Sequence, residues 1–274
     1  MNCVALPSNV TLKAAALVEP LAIGRHCITS SDVQKGQSVL VCGAGPIGLA
    51  IILLLHVMGA SKIIVTEVLG SRMTQARKFR ADTVINPLQP SAEEESSAEE
   101  AAIVKVVPGG VDIAFDAIGF QSTLDLSISS MKAGGVIFNV MIHKKLLSLN
   151  LNGLVMKEKK LTGGICYFQE DFDVVIGMLA EGKLDVEPMV TSIVPLSKAG
   201  EGGFDELVHN CKELQSKNLQ SIGYISSLTH VHLTNNSAYK HSWPCSTLVT
   251  FTLLILNDYY RAWLEQYSKH YTIR

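Results

Sequence analysis

Short apolar runs alternate with helical patterns from about residue 38 onward. The apolar runs have the length of buried strands, and turn signals such as Lys35-Gly36-Gln37 precede them. The predicted strands cover residues 38–42, 62–66, 83–85, 111–115 and 136–140. The predicted helices cover residues 46–58, 71–80 and 121–132, and an acidic stretch over 91–102 leads into another. Alternation at this spacing predicts right-handed βαβ units, and therefore an α/β fold with a doubly wound parallel sheet.

The pattern divides the chain into three segments. Residues 1–30 lie outside the alternation, and we expect them to hold the remnant of a preceding domain and a connecting helix that begins near Thr11. Residues 31–220 are predicted to form one domain. Its later part is expected to contain strands near 160–167 and 189–194 and helices near 170–180 and 197–215. Beyond residue 221 the periodicity lapses, which marks an atypical tail.

The tail over residues 221–274 also differs in composition. It holds both Trp but only one of the 21 Gly and two of the 25 acidic residues. Its apolar run over 248–256 is too short to cross a bilayer core of about 30 Å as a helix. A membrane-binding or partner-binding tail and a poorly ordered extension are the two interpretations, and we expect the extension.

The overall composition is that of a soluble globular protein, with 47% hydrophobic residues, 18% charged residues and a net charge of −2. The near-neutral charge gives no reason to expect a nucleic acid or a membrane surface as partner. The six Cys form no C-x-x-C pair, and the first residues lack the pattern of a signal peptide. We therefore expect a reducing, cytoplasmic location.

A glycine-rich turn lies between the first predicted strand and the helix after it. Gly43, Gly45 and Gly48 have the spacing G-x-G-x-x-G, which gains its meaning from this strand–helix context. Gly43 would permit the tight turn, Gly45 the approach of a pyrophosphate, and Gly48 the close packing of helix on sheet. The start of the helix, with Pro46 and Ile47, offers free N–H groups and a positive dipole. We therefore predict a Rossmann-type dinucleotide site here.

Glu67 lies at the end of the second predicted strand, 19 residues after Gly48. A carboxylate at this point accepts hydrogen bonds from the adenosine ribose and repels a 2′-phosphate, so Glu67 favours NAD over NADP. Arg72 follows five residues later. It could stack on the adenine or reach that ribose, or it could be an ordinary helix-surface Arg, and both interpretations stay open.

The fourth and fifth predicted strands end at the same edge of the sheet, where ligands of open α/β sheets bind. Asp116 and Ala117 follow the fourth strand, and Asn139 to Ile142 follow the fifth. The backbone at Ala117 and Ile142 could flank the nicotinamide end of the cofactor. Asp116 could contact the ligand or cap the loop, and neither role is preferred.

Several segments together resemble the medium-chain zinc-dependent dehydrogenases, in particular the polyol branch of butanediol, sorbitol and threonine dehydrogenases. They are Gly43-Ala-Gly-Pro-Ile-Gly-Leu-Ala50, Thr66-Glu-Val68 with Arg72, Phe79-Arg-Ala-Asp82, Ala16 to Ala22, Val111 to Asp116 and Glu187 to Ser192. The resemblance covers about residues 2–220 and implies an oxidoreductase with a Rossmann cofactor domain that oxidises secondary alcohols with NAD. Arg80 stands where the family has a turn glycine, so we expect a strained, positive φ there.

The resemblance also implies a catalytic zinc that polarises the substrate oxygen. Its family ligands are a Cys, a His-Glu pair and the Glu of a Val-Glu-Pro segment, for which Glu19 is the counterpart. The others belong to an N-terminal GroES-like catalytic domain, expected before Met1. His26 lies seven residues after Glu19, about two helical turns away, too far to share one ion. Cys27 and Cys42 are expected to be small buried residues. We thus expect an incomplete zinc site and no intact catalytic residues.

Three functions remain open, so whether the chain is itself an enzyme is left undecided. It could be a truncated dehydrogenase that binds NAD weakly and turns over near background, a non-catalytic NAD(H)-binding or scaffold module, or a domain completed by another chain. A tyrosine-based acid is not expected, because no Lys lies four residues beyond Tyr167. The expected partners are a small alcohol or polyol substrate and a second copy, joined through a sheet edge near 189–194.

Overall fold

The computed structural model describes residues 4–88, 98–143 and 146–190, together with Ile193 and Lys198. The chain divides into two compact units, one of Ser8–Thr191 and one of Met1–Pro7 with Ser192–Arg274. All elements given below belong to the first unit. The helix predicted near 197–215, apart from Lys198, and the predicted tail over 221–274 lie outside the described residues.

The described part of the first unit contains a sheet of six parallel strands in the order β3-β2-β1-β4-β5-β6. The strands are Ser38–Cys42 (β1), Lys62–Thr66 (β2), Thr83–Ile85 (β3), Val111–Asp116 (β4), Met131–Asn139 (β5) and Lys160–Gly163 (β6). The order reverses between β1 and β4, as in Rossmann folds. The predicted doubly wound parallel sheet is confirmed.

Eight α-helices lie between and around these strands in the described residues. They are Leu12–Ala15 (α1), Val18–Ser30 (α2), Pro46–Met58 (α3), Gly70–Lys78 (α4), Ala98–Val106 (α5), Gln121–Ser130 (α6), Leu151–Val155 (α7) and Gln169–Ala180 (α8). The prediction for α3 is confirmed, including its end at Gly59, which adopts the left-handed conformation with φ 87°.

The sheet is covered on both faces, and β1 is therefore buried along its whole length. Leu40 and Cys42 of β1 pack with Ile103 of α5 and Leu126 of α6 in one apolar cluster. Because side chains alternate along a strand, Val41 points to the opposite face, where α3 lies. Helix α2 packs on α3 and α8. The connecting helix is thus part of the same unit as the sheet.

The structure corrects two details of the predicted elements. The helix predicted from Thr11 is confirmed at its start, where the Thr11 hydroxyl accepts a hydrogen bond from Ala14 N at 3.1 Å, but it divides into α1 and α2. The strand predicted near 189–194 is wrong at Met189, which ends a 3₁₀ turn over Glu187–Met189. Pro188 explains the difference, since proline fixes φ and lacks the N–H that a ladder needs.

Candidate functional site

The glycine turn after β1 adopts the geometry that its spacing predicts. Gly43 is left-handed, with φ 95°, and its N–H donates to Thr66 O at 2.8 Å. Gly45 is extended and precedes α3, whose first residue is Pro46. A Cβ on Gly48 would lie 2.1 Å from Gly43 O, a backbone atom that cannot rotate away. The turn therefore requires glycine at both Gly43 and Gly48, and it brings the start of α3 directly onto the end of β1.

The start of α3 is the polar part of this turn. The first N–H groups of a helix have no carbonyl partner within it, and Pro46 carries no N–H. The Ile47 and Gly48 N–H groups are therefore the donors that the first turn can offer to an anion. The carboxyl end of β1 and the positive end of the α3 dipole coincide at this point.

Glu67 lies directly after β2 and is almost fully buried, with 4% of its surface exposed. One carboxylate oxygen accepts a hydrogen bond from Ala44 N at 2.9 Å, inside the glycine turn. The other accepts from Val68 N at 2.8 Å and Leu69 N at 2.9 Å. Glu67 thus ties the loop after β2 to the loop after β1, a role that the sequence pattern alone did not predict. The position of Glu67 directly after β2 was the available signal, because the carboxyl ends of neighbouring parallel strands lie at the same edge of a sheet.

Arg72 lies in the first turn of α4, near the loop after β2, and is half-buried. Its position next to the Glu67 loop is compatible with an adenine or ribose contact. The two interpretations of Arg72 stay open.

Asp116 ends β4 and has no exposed surface. Its carboxylate accepts hydrogen bonds from Ile118 N, Gly119 N and the Thr123 hydroxyl, all at 3.0 Å. Burial raises the pKa of the Asp116 carboxyl, and these donors together with nearby His143 act in the opposite direction. Of the two roles left open for Asp116, the structure shows the capping of its own loop.

Ala117 and Ile142 lie in the loops that follow β4 and β5. A Cβ on Gly43 would lie 3.5 Å from Ala117 O, so the glycine turn and the β4 loop are neighbours. The Ala117 N–H is already used, since it donates to Cys42 O at 3.0 Å. Ile142 lies three residues beyond the end of β5 at the same sheet edge. The loops and helix starts that follow β1, β2, β4 and β5 therefore hold the residues that the sequence predicts for the cofactor.

Comparison with known proteins identifies the family. A model of the zinc-binding dehydrogenase family matches residues 46–181. The (R,R)-butanediol dehydrogenase of Neisseria gonorrhoeae is 33% identical over 207 residues, which are 75% of this chain and 56% of that protein. The sorbitol dehydrogenase of Ovis aries is 32% identical over 199 residues, which are 73% of this chain and 55% of that protein.

The solved structure of 2R,3R-butanediol dehydrogenase from Bacillus subtilis is similar over 74% of this chain and 56% of that chain, with TM-score 0.68 and 30% identity. The chain belongs to the polyol-type zinc-dependent dehydrogenases. Its described unit corresponds to their cofactor domain. The chain spans about half the length of the curated dehydrogenases that it matches, 56% and 55% for the two above.

The dehydrogenase family implies a zinc ion, and Glu19 in α2 is the residue whose surroundings show whether it fits as a zinc ligand. The Glu19 Oε1 atom is buried without a hydrogen-bond partner, and burial raises the pKa of this carboxyl to about 7. Burial, and next the Glu19 charge, raise the pKa of Tyr167 to about 12. An orphaned buried oxygen fits one metal ligand. Within the described residues, however, no three His, Cys, Asp or Glu side chains group to hold a metal, so these residues do not fit zinc by themselves.

The other ligand candidates in the described residues have different roles. His26 Nδ1 lies 3.1 Å from Asp171 Oδ2, so the ring ties α2 to α8. Cys27 and Cys42 are buried, and burial raises the pKa of each thiol to about 12. The prediction that both are small buried residues is confirmed. In the part of the chain that the structure describes, we find no helix with the length and apolar character to cross a membrane.

Proposed function

We propose that this chain binds NAD(H) at the carboxyl edge of β1 and β4, as the cofactor-binding part of a dehydrogenase that acts on small secondary alcohols or polyols. The observation that carries the proposal is the glycine turn. Gly43 is left-handed and Gly48 lies against Gly43 O, at the point where the strand order reverses. A turn of this shape leaves space for a pyrophosphate above it and aims N–H groups at that space.

The site residues divide along the length of the dinucleotide. Gly45, Pro46 and Ile47 would receive the pyrophosphate, and Glu67 and Arg72 would face the adenosine ribose and adenine. Ala117 and Ile142 would flank the nicotinamide, which supplies the hydride acceptor when NAD is bound.

Glu67 supports NAD as the preferred dinucleotide. Its carboxylate lies at the end of β2, where an adenosine 2′-phosphate would approach it. The negative charges of the carboxylate and the phosphate repel each other, and the low exposure of Glu67 reduces the screening of this repulsion by solvent. We therefore expect NADP to bind at least about tenfold more weakly than NAD, a difference of about 1.4 kcal/mol.

Catalysis by this chain alone is expected to lie near background. Of the family's zinc ligands, Glu19 is the counterpart that the described residues contain, and they hold no group of three ligands. A complete site would need ligands from outside the described residues or from another chain. The described residues contain a complete dinucleotide turn but one candidate zinc ligand. This difference favours a non-catalytic NAD(H)-binding or scaffold module as the second candidate function.

We propose a homodimer through an edge of the sheet; the edge predicted near 189–194 is not a strand at Met189, which ends a 3₁₀ turn. In the described residues the sheet ends at β6, and all four residues of that strand are exposed. An exposed edge presents unpaired N–H and C=O groups that can pair with a second strand.

Calorimetric titration of the purified chain with NAD, NADP and ADP-ribose tests the proposed binding. We expect NAD and ADP-ribose to bind and NADP to bind more weakly. Absence of binding by both NAD and ADP-ribose would contradict the proposal. Metal analysis and assays with zinc and butane-2,3-diol or sorbitol test the expected incompleteness of the zinc site: we expect turnover near background, whereas zinc-dependent oxidation would show a complete site and would exclude the non-catalytic module.

A further inference from the structure

The loop after β4, residues 117–120, lies between the glycine turn and the loop after β5. The Ile118 side chain packs on the glycine turn, since a Cβ on Gly43 would lie 2.6 Å from Ile118 Cγ1. Gly119 lies against the β5 loop, since a Cβ there would lie 2.9 Å from Met141 Cβ. The hydrogen bonds inside the β4 loop therefore determine which of its backbone groups face the proposed cofactor site.

Asp116 fixes the direction of one peptide group in this loop. Its Oδ1 atom accepts hydrogen bonds from Ile118 N and Gly119 N, both at 3.0 Å. The Ile118 N–H and the Ala117 carbonyl belong to the same trans peptide group, so they point in opposite directions. Because the N–H points at Asp116, the carbonyl points away from it. The Ala117 N–H already donates to Cys42 O, so the carbonyl is the polar backbone group that Ala117 can offer to a ligand.

Thr123, in the first turn of α6, binds the second oxygen of the Asp116 carboxylate. The Thr123 hydroxyl lies 3.0 Å from Asp116 Oδ2 and 3.0 Å from Phe120 O, and it accepts a hydrogen bond from Phe120 N. One hydroxyl can donate one hydrogen bond. Phe120 O already accepts from Leu124 N, and a carboxylate is the stronger acceptor, so the hydroxyl donates to Asp116. Both Thr123 and Asp116 are buried.

We propose that Thr123 is a positioning residue, which acts on the nicotinamide through Asp116 and the Ala117 carbonyl. The inference rests on the proposed NAD binding, because that proposal places Ala117 beside the nicotinamide. Without the Thr123 hydroxyl, Oδ2 loses this bond, and the broad torsion about the Cβ–Cγ bond of Asp116 lets the carboxylate turn. The peptide group that it holds then loses its fixed direction. We expect the affinity for NADH to fall, whereas the affinity for ADP-ribose, which lacks the nicotinamide ring, stays the same.

A purely structural role for Thr123 leads to a different expectation. The hydroxyl also accepts from Phe120 N, directly before α6, so its loss weakens the start of this helix in any case. A lower population of the folded chain reduces the apparent affinities for NADH and ADP-ribose by the same factor. The ratio of the two affinities therefore reports the positioning role and not the stability of the helix.

Calorimetric titration with NADH and ADP-ribose tests the positioning role in the wild type and matched variants. Thr123→Val replaces the hydroxyl by a methyl group of similar size. We expect its ratio of NADH to ADP-ribose affinity to fall about fivefold, the size of one hydrogen bond. Thr123→Ser keeps the hydroxyl and should retain the wild-type ratio. The control Ser127→Ala removes a buried hydroxyl of the same helix, which lies 3.7 Å from Cys42 Sγ, and should also retain that ratio.

An unchanged ratio in Thr123→Val overturns the proposal. An equal fall in Thr123→Ser or in Ser127→Ala also overturns it, because the effect would then not depend on the hydroxyl at this position. These results leave NAD binding intact. Loss of both NADH and ADP-ribose binding in the wild type would instead refute the proposed function.

Amide hydrogen exchange in the free wild-type chain is a second measurement, which does not depend on the folding of a variant. We expect the Ile118 and Gly119 N–H groups to exchange at least about a hundredfold more slowly than in an unstructured peptide, because Asp116 holds them before a ligand binds. Exchange of both groups at the rate of an unstructured peptide would mean that the loop is not held in advance, and it contradicts the proposal.

Discussion

Glu19 combines two unfavourable features in one side chain. Its Oε1 atom is buried without a hydrogen-bond partner, and burial raises the pKa of the carboxyl from 4.5 to about 7. A carboxyl in this environment is more stable as the neutral acid than as the carboxylate. The folded chain therefore keeps this proton in a pH range in which the unfolded chain has already released it.

The stability of the chain should consequently fall between about pH 4.5 and pH 7. In this range the unfolded state binds fewer protons than the folded state, so the free energy of unfolding decreases as pH rises and levels off above about pH 7. The contribution of Glu19 is on the order of 3 kcal/mol. Glu19→Gln cannot ionise and removes this contribution, which urea unfolding at pH 5 and pH 8 with a chelator measures.

The matched control is Glu170→Gln, which alters an exposed Glu in the first turn of α8. It should keep the wild-type pH dependence. Parallel pH profiles for the wild type and Glu19→Gln would show that Glu19 is not the group responsible.

Single residues also show which parts of the site were predictable. The roles of Gly43 and Gly48 follow from local steric requirements and could be predicted from spacing alone. The bonds of Glu67 to Ala44 N, and of His143 to Gly119 O, join residues far apart in sequence. They depend on how two loops meet in space, and no periodicity encodes that.

At the scale of elements, the turn that ends helix α4 holds an arginine in a backbone conformation that favours glycine. Arg80 has φ 72° in the left-handed region. Its N–H donates to Arg77 O at 3.1 Å, and the next N–H, from Ala81, donates to Ala76 O at 3.0 Å, which is a Schellman ending. The positive φ predicted at Arg80 is confirmed.

Arg80→Gly should therefore stabilise the chain. Glycine adopts this conformation without the steric penalty of a side chain, and the expected gain is about 1 kcal/mol, seen as a rise in Tm by calorimetry. Arg80→Ala retains a Cβ at the same φ and should give no comparable gain. Equal effects of Gly and Ala would mean that the arginine side chain, rather than backbone strain, determines stability here.

The remaining elements differ in how clearly their sequences specify them. Helix α3 and strands β1, β2 and β3 match the predicted bounds, and glycine closes two of them, β1 at Gly43 and α3 at Gly59. The segment near Met189 has the β-branched content of a strand, but Pro188 overrides it. Strand β5 begins five residues earlier than predicted, because Met131 pairs with Val111 before the register shifts and Val136 pairs with Ile113.

At the scale of the whole molecule, the sheet order explains why a short motif can define a site. The reversal between β1 and β4 places the glycine turn, Glu67 and the β4 and β5 loops at one edge, although they span about a hundred residues of sequence. This assembly supports a dinucleotide site that lies within the described unit. For zinc, by contrast, Glu19 is the ligand that we propose among the described residues, in which no three His, Cys, Asp or Glu side chains group to hold a metal.

Calorimetric titration of Gly48→Ala with NAD beside the wild type tests NAD binding at the glycine turn. The added Cβ would lie 2.1 Å from Gly43 O, so the turn must open and the pyrophosphate position is lost. The control Gly177→Ala lies in α8 with no atom within 4 Å of the added Cβ. We predict that the wild type and Gly177→Ala bind NAD alike and that Gly48→Ala binds at least about tenfold more weakly while retaining its circular dichroism spectrum. Equal NAD affinity in all three proteins would mean that NAD does not bind at the glycine turn.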